Sequence, residues 1–242
     1  TESIYKIAAD LKNINIAGIS VHIGSQITSL KPFKKAYTIM YDIIKNLRSI
    51  GHKIDHVDLG GGLGVSYTTE ENIPTFKEYA NLIQSIFGNA DIKVYIEPGR
   101  LLVANSGLLI TKVTDVKTTT QKTFIIVDAA MNDFIRPTLY GSYHEILPIK
   151  NNLGTSNKVY DIVGPICETG DYFAKNRKIN SVKIGSIIAI KSVGAYGSVQ
   201  SSNYNSRPQI AEILVKDDKY EIIRERVEVK DLIKQEKIAT WL

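Results

Sequence analysis

Ile4, Ile7, Ala8 and Leu11 fall on one face of a helix, and the apolar stretch from Ile16 to Ile23 that follows reads as a strand. Pro32 opens a long amphipathic helix in which Phe33, Ala36, Tyr37, Met40, Ile43, Ile44 and Leu47 share one face, and Gly51 ends it. The run from Ile54 to Leu59 carries the apolar weight of a buried strand. Tyr79, Leu82, Ile83 and Ile86 then mark a further helix that stops at Gly88, and Lys93 to Ile96 reads as a third strand. Strands alternating with helices, each strand ending in polar or glycine residues, predict a parallel α/β sheet over residues 1–106.

From about Gly107 the helical period fades. Runs of β character take over at Leu108 to Val116, Thr123 to Val127, Val159 to Val163, Ile187 to Ser192, Ile210 to Val215 and Tyr220 to Ile223, which predicts a mostly antiparallel β domain over 107–242. Asp217-Asp218-Lys219 reads as the turn of a hairpin, Val229 to Lys237 as a short terminal helix, and Asn151 to Asn157 as the loosest loop. No internal repeat interrupts this order.

Composition narrows the class without naming a function. With 43% hydrophobic and 23% charged residues, the chain has the makeup of a globular protein, large enough for one sizeable domain or two modest ones. The net charge of +5 is spread along the chain with no basic block, so no nucleic-acid partner is expected. The single cysteine, Cys167, excludes an intrachain disulfide and suits a reducing compartment. No apolar run approaches the roughly 18 residues of a membrane span and no signal peptide is visible, so no membrane association and a cytoplasmic location are expected. No metal is called for. The chain begins at Thr1 in what reads as the middle of a helix, so a missing upstream segment is expected.

The candidate chemistry sits at the strand ends. Val57-Asp58-Leu59 runs into Gly60-Gly61-Gly62-Leu63-Gly64, a glycine-rich turn between strand and helix that can expose N–H groups to an anion. The same turn serves elsewhere only to let a helix pack closely, and Asp58 is better placed to cap it than to catalyse. The preceding strand ends in His22 and Ser25, and the following one in Glu97 and Arg100. In a parallel barrel these ends share one mouth, where a hydroxyl, backbone N–H groups and a guanidinium can converge on a phosphate. A second polar set comprises Asp128, Asn132, Asp133, Arg136 and Tyr140, then Cys167, Glu168 and Asp171, then Gly194-Ala195-Tyr196-Gly197.

Six motifs carry a specific resemblance: HIGSQ at His22, VDLGGGLG at Val57, EPGR at Glu97, the run from Asp128 through Tyr140, CETGD at Cys167 and GAYG at Gly194. Together they resemble the diaminopimelate decarboxylase family, whose members are alanine-racemase-like pyridoxal 5'-phosphate enzymes. The resemblance implies an α/β plus β architecture: the C-terminal part of a cofactor-binding TIM barrel over 1–106, followed by an antiparallel β-sandwich or barrel domain over 107–242. It implies decarboxylation of meso-diaminopimelate to L-lysine, with the pyridine ring as electron sink, in a homodimer with composite active sites. His22 would lie against the ring. Ser25, Gly60, Gly61 and Gly62 would hold the phosphate, and Glu97, with Pro98, Gly99 and Arg100 beside it, would pair with the ring nitrogen. Arg100, Arg136 and Tyr140 would bind substrate carboxylate, and Tyr196 would reach both cofactor and substrate. Cys167, a candidate proton donor, and Glu168, reader of the distal amino group, would enter the partner subunit's site.

Two small departures, Ala130 for a usual glycine and Thr169 for a usual serine, leave these motifs intact. The family's Schiff-base lysine has no counterpart before His22, and Phe173-Ala174-Lys175-Asn176, a superficial match, follows CETGD where the family has a surface segment. The expectation is therefore a fragment or split-gene product, inactive alone, whose partner is a missing N-terminal half. Decarboxylases of ornithine, arginine or carboxynorspermidine are the neighbouring alternatives, against which Glu168 argues. A non-catalytic cofactor-binding or dimerisation remnant is the alternative outside enzymes.

Overall fold

A computed structural model describes residues 1–68, 72–150 and 158–242. The predicted loop at 151–157 lies outside the described residues. The chain forms two compact units, 1–103 and 104–242, and each is taken by itself.

The first unit is a small parallel sheet with its helices. Helix α1 (Glu2–Ala9) precedes strand β1 (Gly18–Ser20), then come α2 (Leu30–Ser49), β2 (His56–Asp58), α3 (Phe76–Phe87), β3 (Lys93–Tyr95) and the short α4 (Gly99–Val103). The strands pair in parallel in the order β1-β2-β3, with Ile19, Val57 and Val94 in register. Helix α2 starts at Leu30 rather than Pro32, because Ser29 accepts the Lys31 N–H as its cap. Pro32 is tolerated in the first turn, where N–H groups have no intrahelical acceptor. Thr75 and Glu78 form a reciprocal capping box that starts α3. The apolar faces of α2 and α3 meet over β2 in a core of Phe33, Tyr37, Ile44, Leu47, Val57, Leu59 and Tyr79.

The second unit is built on a six-stranded sheet. Its strands are β4 (Leu108–Thr118), β5 (Thr123–Val127), β6 (Ile146–Pro148), β7 (Val159–Val163), β8 (Tyr172–Lys178) and β9 (Ile187–Lys191), with helix α5 (Arg136–Tyr140) between β5 and β6. The order is β6-β9-β4-β5-β7-β8. Neighbours are antiparallel except β5 and β7, which run parallel, so the sheet is mostly antiparallel, as the sequence predicts, with one parallel pair that makes it mixed. The parallel pair follows from the connection: the chain leaves Val127, forms α5 and β6, and returns in the original direction. Strand β4 alternates buried Leu109, Thr111 and Val113 with exposed neighbours, while β9 buries Ile188, Ala189 and Ile190 in succession. A separate hairpin of β10 (Glu212–Lys216) and β11 (Lys219–Arg224) closes through a two-residue loop in which Asp217 takes a left-handed backbone, and α6 (Val229–Ile233) is shorter than its sequence pattern suggests.

Candidate functional site

In the first unit, the ends of the three parallel strands open onto one set of loops. After β2 the backbone turns through Gly60 and Gly62 at positive φ (66° and 100°) and passes so close to its neighbours that side chains are excluded. A Cβ at Gly60 would collide with the Val21 carbonyl, one at Gly61 with the Glu97 carbonyl, and one at Gly62 with the Gly24 carbonyl. The glycines are thus required by the approach of the loops after β1 and β3.

Hydrogen bonds then tie these loops together. The Ile27 N–H donates to Gly62 O at 2.9 Å, Gly64 N–H to Ile27 O at 3.0 Å, and Glu97 N–H to Gly60 O at 2.8 Å. Gln26, at φ 56°, clamps Val65 from both sides, its amide nitrogen donating to Val65 O at 2.6 Å and its oxygen accepting the Val65 N–H at 3.2 Å. Asp58 caps the turn by accepting the Gly60 N–H at 2.8 Å. His22 Nδ1 accepts the Gly61 N–H at 3.3 Å. Two of the loop's N–H groups, those of Gly60 and Gly61, are therefore engaged by side chains, where the sequence reading has them meeting the anion.

Arg100 stands at the rim. One terminal nitrogen donates to Ser25 Oγ at 3.1 Å and the other to Tyr67 Oη at 2.6 Å, so the guanidinium plane is fixed between a loop serine and a tyrosine just beyond the glycine turn. His22, Ser25 and Glu97 are exposed beside it. Pro98 and Gly99 connect Glu97 to the start of α4.

The second unit gathers the other set. Arg136 opens α5 and is only 6% exposed, and its guanidinium lies 5.7 Å from the ring centres of both Tyr140 and Tyr196. Tyr196 adopts a left-handed backbone, φ 61°, a conformation that costs a non-glycine residue about 1 kcal/mol and tends to mark functional turns. Cys167 and Glu168 are exposed on a neighbouring loop. That loop is fastened to the α5 segment by Asp171, whose carboxylate accepts the N–H groups of Met131 and Ile166 at 2.7 Å each, and by Thr138, which donates to Gly170 O. Burial raises the Asp171 pKa, and these two N–H bonds oppose the rise without cancelling it. Glu168 accepts from the Gly170 N–H and from the Tyr204 hydroxyl, both at 3.2 Å.

The same unit shows that several polar residues of the sequence motifs hold loops rather than face a ligand. Asp128 accepts from Thr111 and the Lys112 N–H, and Asn132 accepts from Arg207 and donates to Ser202 O. Asp133 is buried, accepts the Ala130 N–H and lies 3.7 Å from Arg207. Lys175 lies on β8 with its ammonium 3.8 Å above the Tyr172 ring.

A family model described as pyridoxal-dependent decarboxylase, C-terminal sheet domain, matches residues 8–194. The chain belongs to the pyridoxal-dependent decarboxylase family. A diaminopimelate decarboxylase of Zymomonas mobilis is 45% identical over 241 residues, which is 99% of this chain and 57% of that protein. Diaminopimelate decarboxylases solved in complex with L-lysine superpose closely. The Helicobacter pylori enzyme gives a TM-score of 0.89 at 39% identity over 97% of this chain and 58% of its own, and that of M. jannaschii gives 0.92 at 35% over 99% and 56%. The chain spans about half the length of the curated relatives it matches.

The decarboxylase family's cofactor is pyridoxal phosphate, and the first unit has features that fit its phosphate: a turn whose glycines at 60–62 cannot carry side chains, with a hydroxyl and a guanidinium hydrogen-bonded to each other on the neighbouring loops. The exposed carboxylate of Glu97 is suited to a protonated ring nitrogen. Sequence reasoning missed Tyr67 and Tyr204, and it quoted Gln26 without a role. All three act across long sequence separations; Gln26 lies within a quoted motif and Tyr67 three residues after one, whereas nothing in the sequence marks Tyr204.

Proposed function

We propose that this chain carries the cofactor-phosphate, substrate and proton-donor elements of a diaminopimelate decarboxylase, an enzyme that converts meso-diaminopimelate to L-lysine and carbon dioxide. The single observation that carries the reading is 45% identity across 99% of the chain to a protein of that name, supported by solved relatives that hold L-lysine. In this reading residues 1–106 are the last strand-helix units of a TIM barrel, and 107–242 form the sandwich or barrel domain that follows it. The working assembly is a cytoplasmic homodimer in which each site draws residues from both subunits.

When bound, pyridoxal phosphate supplies the electron sink for the pair left behind as the α-carboxylate departs. The protein's part is orientation and charge. Ser25 Oγ, Gly62 and Arg100 would hold the phosphate, while Gly60 and Gly61 let the flanking loops that carry Ser25 and Glu97 close in on the turn. His22 supports one face of the ring, and the Glu97 carboxylate, on the run Glu97-Pro98-Gly99-Arg100, favours a proton on the ring nitrogen. Arg100, Arg136 and Tyr140 would bind the substrate carboxylate, and Tyr196 would reach cofactor and substrate. From the partner subunit, Cys167 Sγ returns a proton to the carbon that lost the carboxylate, and the Glu168 carboxylate binds the distal ammonium group.

No lysine of this sequence stands in the aromatic-Ala-x-Lys setting from which the family anchors its cofactor. The chain alone, given pyridoxal phosphate and meso-diaminopimelate, is therefore predicted to release no lysine, and to do so once mixed with the lysine-bearing barrel front of a relative. Lysine from the chain alone would refute the first statement. A folded, associated mixture that leaves diaminopimelate intact would refute the decarboxylase reading.

A further inference from the structure

Arg100 carries a long, flexible side chain from the start of α4, and two hydroxyls on the loops after β1 and β2 hold it. Its two terminal nitrogens are spread between Ser25 Oγ at 3.1 Å and Tyr67 Oη at 2.6 Å. Ser25 is exposed and sits on the loop after β1, whereas Tyr67 is 9% exposed and lies three residues beyond Gly64 on the continuation of the glycine turn. The backbone leading to Tyr67 is itself immobilised, because Gln26 brackets Val65 with two hydrogen bonds and Gly64 N–H is bonded to Ile27 O. A buried phenol on an anchored backbone is a rigid acceptor. A guanidinium offers five donors in one plane, so fixing both terminal nitrogens fixes the direction in which the fork faces.

We propose that Tyr67 is a positioning residue for anion capture: its hydroxyl accepts from Arg100 and presets the guanidinium toward the Gly60–Gly62 turn, with no contact of its own to the anion. This rests on the reading of that turn as a phosphate site. Preorganisation of this kind removes the rotamer cost of ordering an arginine at the moment of binding, so it raises affinity without adding a contact to the ligand.

The test is a double-mutant cycle on the whole chain with inorganic phosphate as the probe, read by calorimetry or NMR titration. Tyr67→Phe keeps the ring and removes only the hydroxyl. It should weaken phosphate binding roughly three- to tenfold, the loss expected for one hydrogen bond, and should leave the melting temperature in phosphate-free buffer unchanged. In an Arg100→Ala background the same change should have no effect on phosphate affinity, because nothing remains to be positioned. Equal affinity of Tyr67→Phe and the parent chain would overturn the proposal while leaving the phosphate site in place. An equal loss in the Arg100→Ala background would also overturn it, by showing that Tyr67 acts directly or through the fold. A parent chain that binds no phosphate at millimolar concentration would overturn the site and the proposal together.

Discussion

Beneath the glycine turn lies a pair of phenols, Tyr37 on α2 and Tyr79 on α3, 2.7 Å apart, and Tyr37 also reaches the Leu59 carbonyl at 3.4 Å. Both are buried, and burial is the first cause that pushes their pKa values up, so they stay protonated across the physiological range. Tyr37→Phe leaves the Tyr79 hydroxyl without this partner in an apolar core. It should cost about 1–3 kcal/mol in urea unfolding, whereas adding Tyr79→Phe should recover part of that loss because no orphaned hydroxyl remains. If the double variant is less stable than the single by a further full increment, the pair is not acting as a unit. The helical stripe on α2 identified Tyr37 as a core position, but no period in the sequence says that its hydroxyl meets another 42 residues away. Tyr67, Gln26 and Tyr204 were illegible for the same reason. Their neighbours are brought by the fold, and a hydroxyl or amide has no signature until its acceptor is known.

Helices and strands with strong periods were legible, and those with weak ones were not. The stripe of α2, the alternation of β4 and the apolar runs of β5, β7 and β9 all lie where the pattern put them. Strand β8 escaped because only Phe173 and Ala174 near its start are buried while Lys175 to Lys178 are polar, and β6 because three residues ending in proline carry no period. Helix α5 is a single turn that Pro137 starts and Gly141 ends in a left-handed backbone. Polar staples hold these weak elements. Lys122, before β5, lies 2.6 Å from Asp161 on β7, which also accepts the Asn176 N–H of β8 at 2.7 Å. Burial acts to raise the Asp161 pKa, but the Lys122 and Asn176 hydrogen bonds and the lysine charges outweigh it and hold the carboxyl below its usual range. A carboxyl with a depressed native pKa stabilises the fold above its unfolded value, and that contribution is lost as pH falls through the folded one. Asp161→Asn should therefore destabilise the chain at neutral pH, with the gap to the parent closing under acid conditions when both are unfolded in denaturant across pH 2–7. Asp133 has the opposite sign. Burial outweighs Ala130, Arg207 and Arg226 and raises its pKa, so its ionised form costs stability that returns as pH falls through the raised value. A gap for Asp161→Asn that widens toward acid would contradict this assignment.

Across the whole chain, the change from alternating helices and strands to β runs told of two architectures, and two compact units are present. The mixed sheet was not legible, because the direction of β7 relative to β5 depends on the path of the chain between them and not on either strand's residues. What the motifs conveyed best was the list of chemical groups at the strand ends, and what they conveyed least was which N–H groups of the glycine turn remain for a ligand. The proposed site in the first unit should grip a phosphate ester carried by a pyridine aldehyde. Its most direct test is equilibrium titration of the intact chain with pyridoxal 5'-phosphate and, separately, with pyridoxal, for the parent and for Arg100→Ala. The phosphorylated form should bind at least about tenfold more tightly, in line with the strength of charge-assisted contacts, and Arg100→Ala should remove most of the difference. Equal binding of the two aldehydes by the parent chain would contradict it.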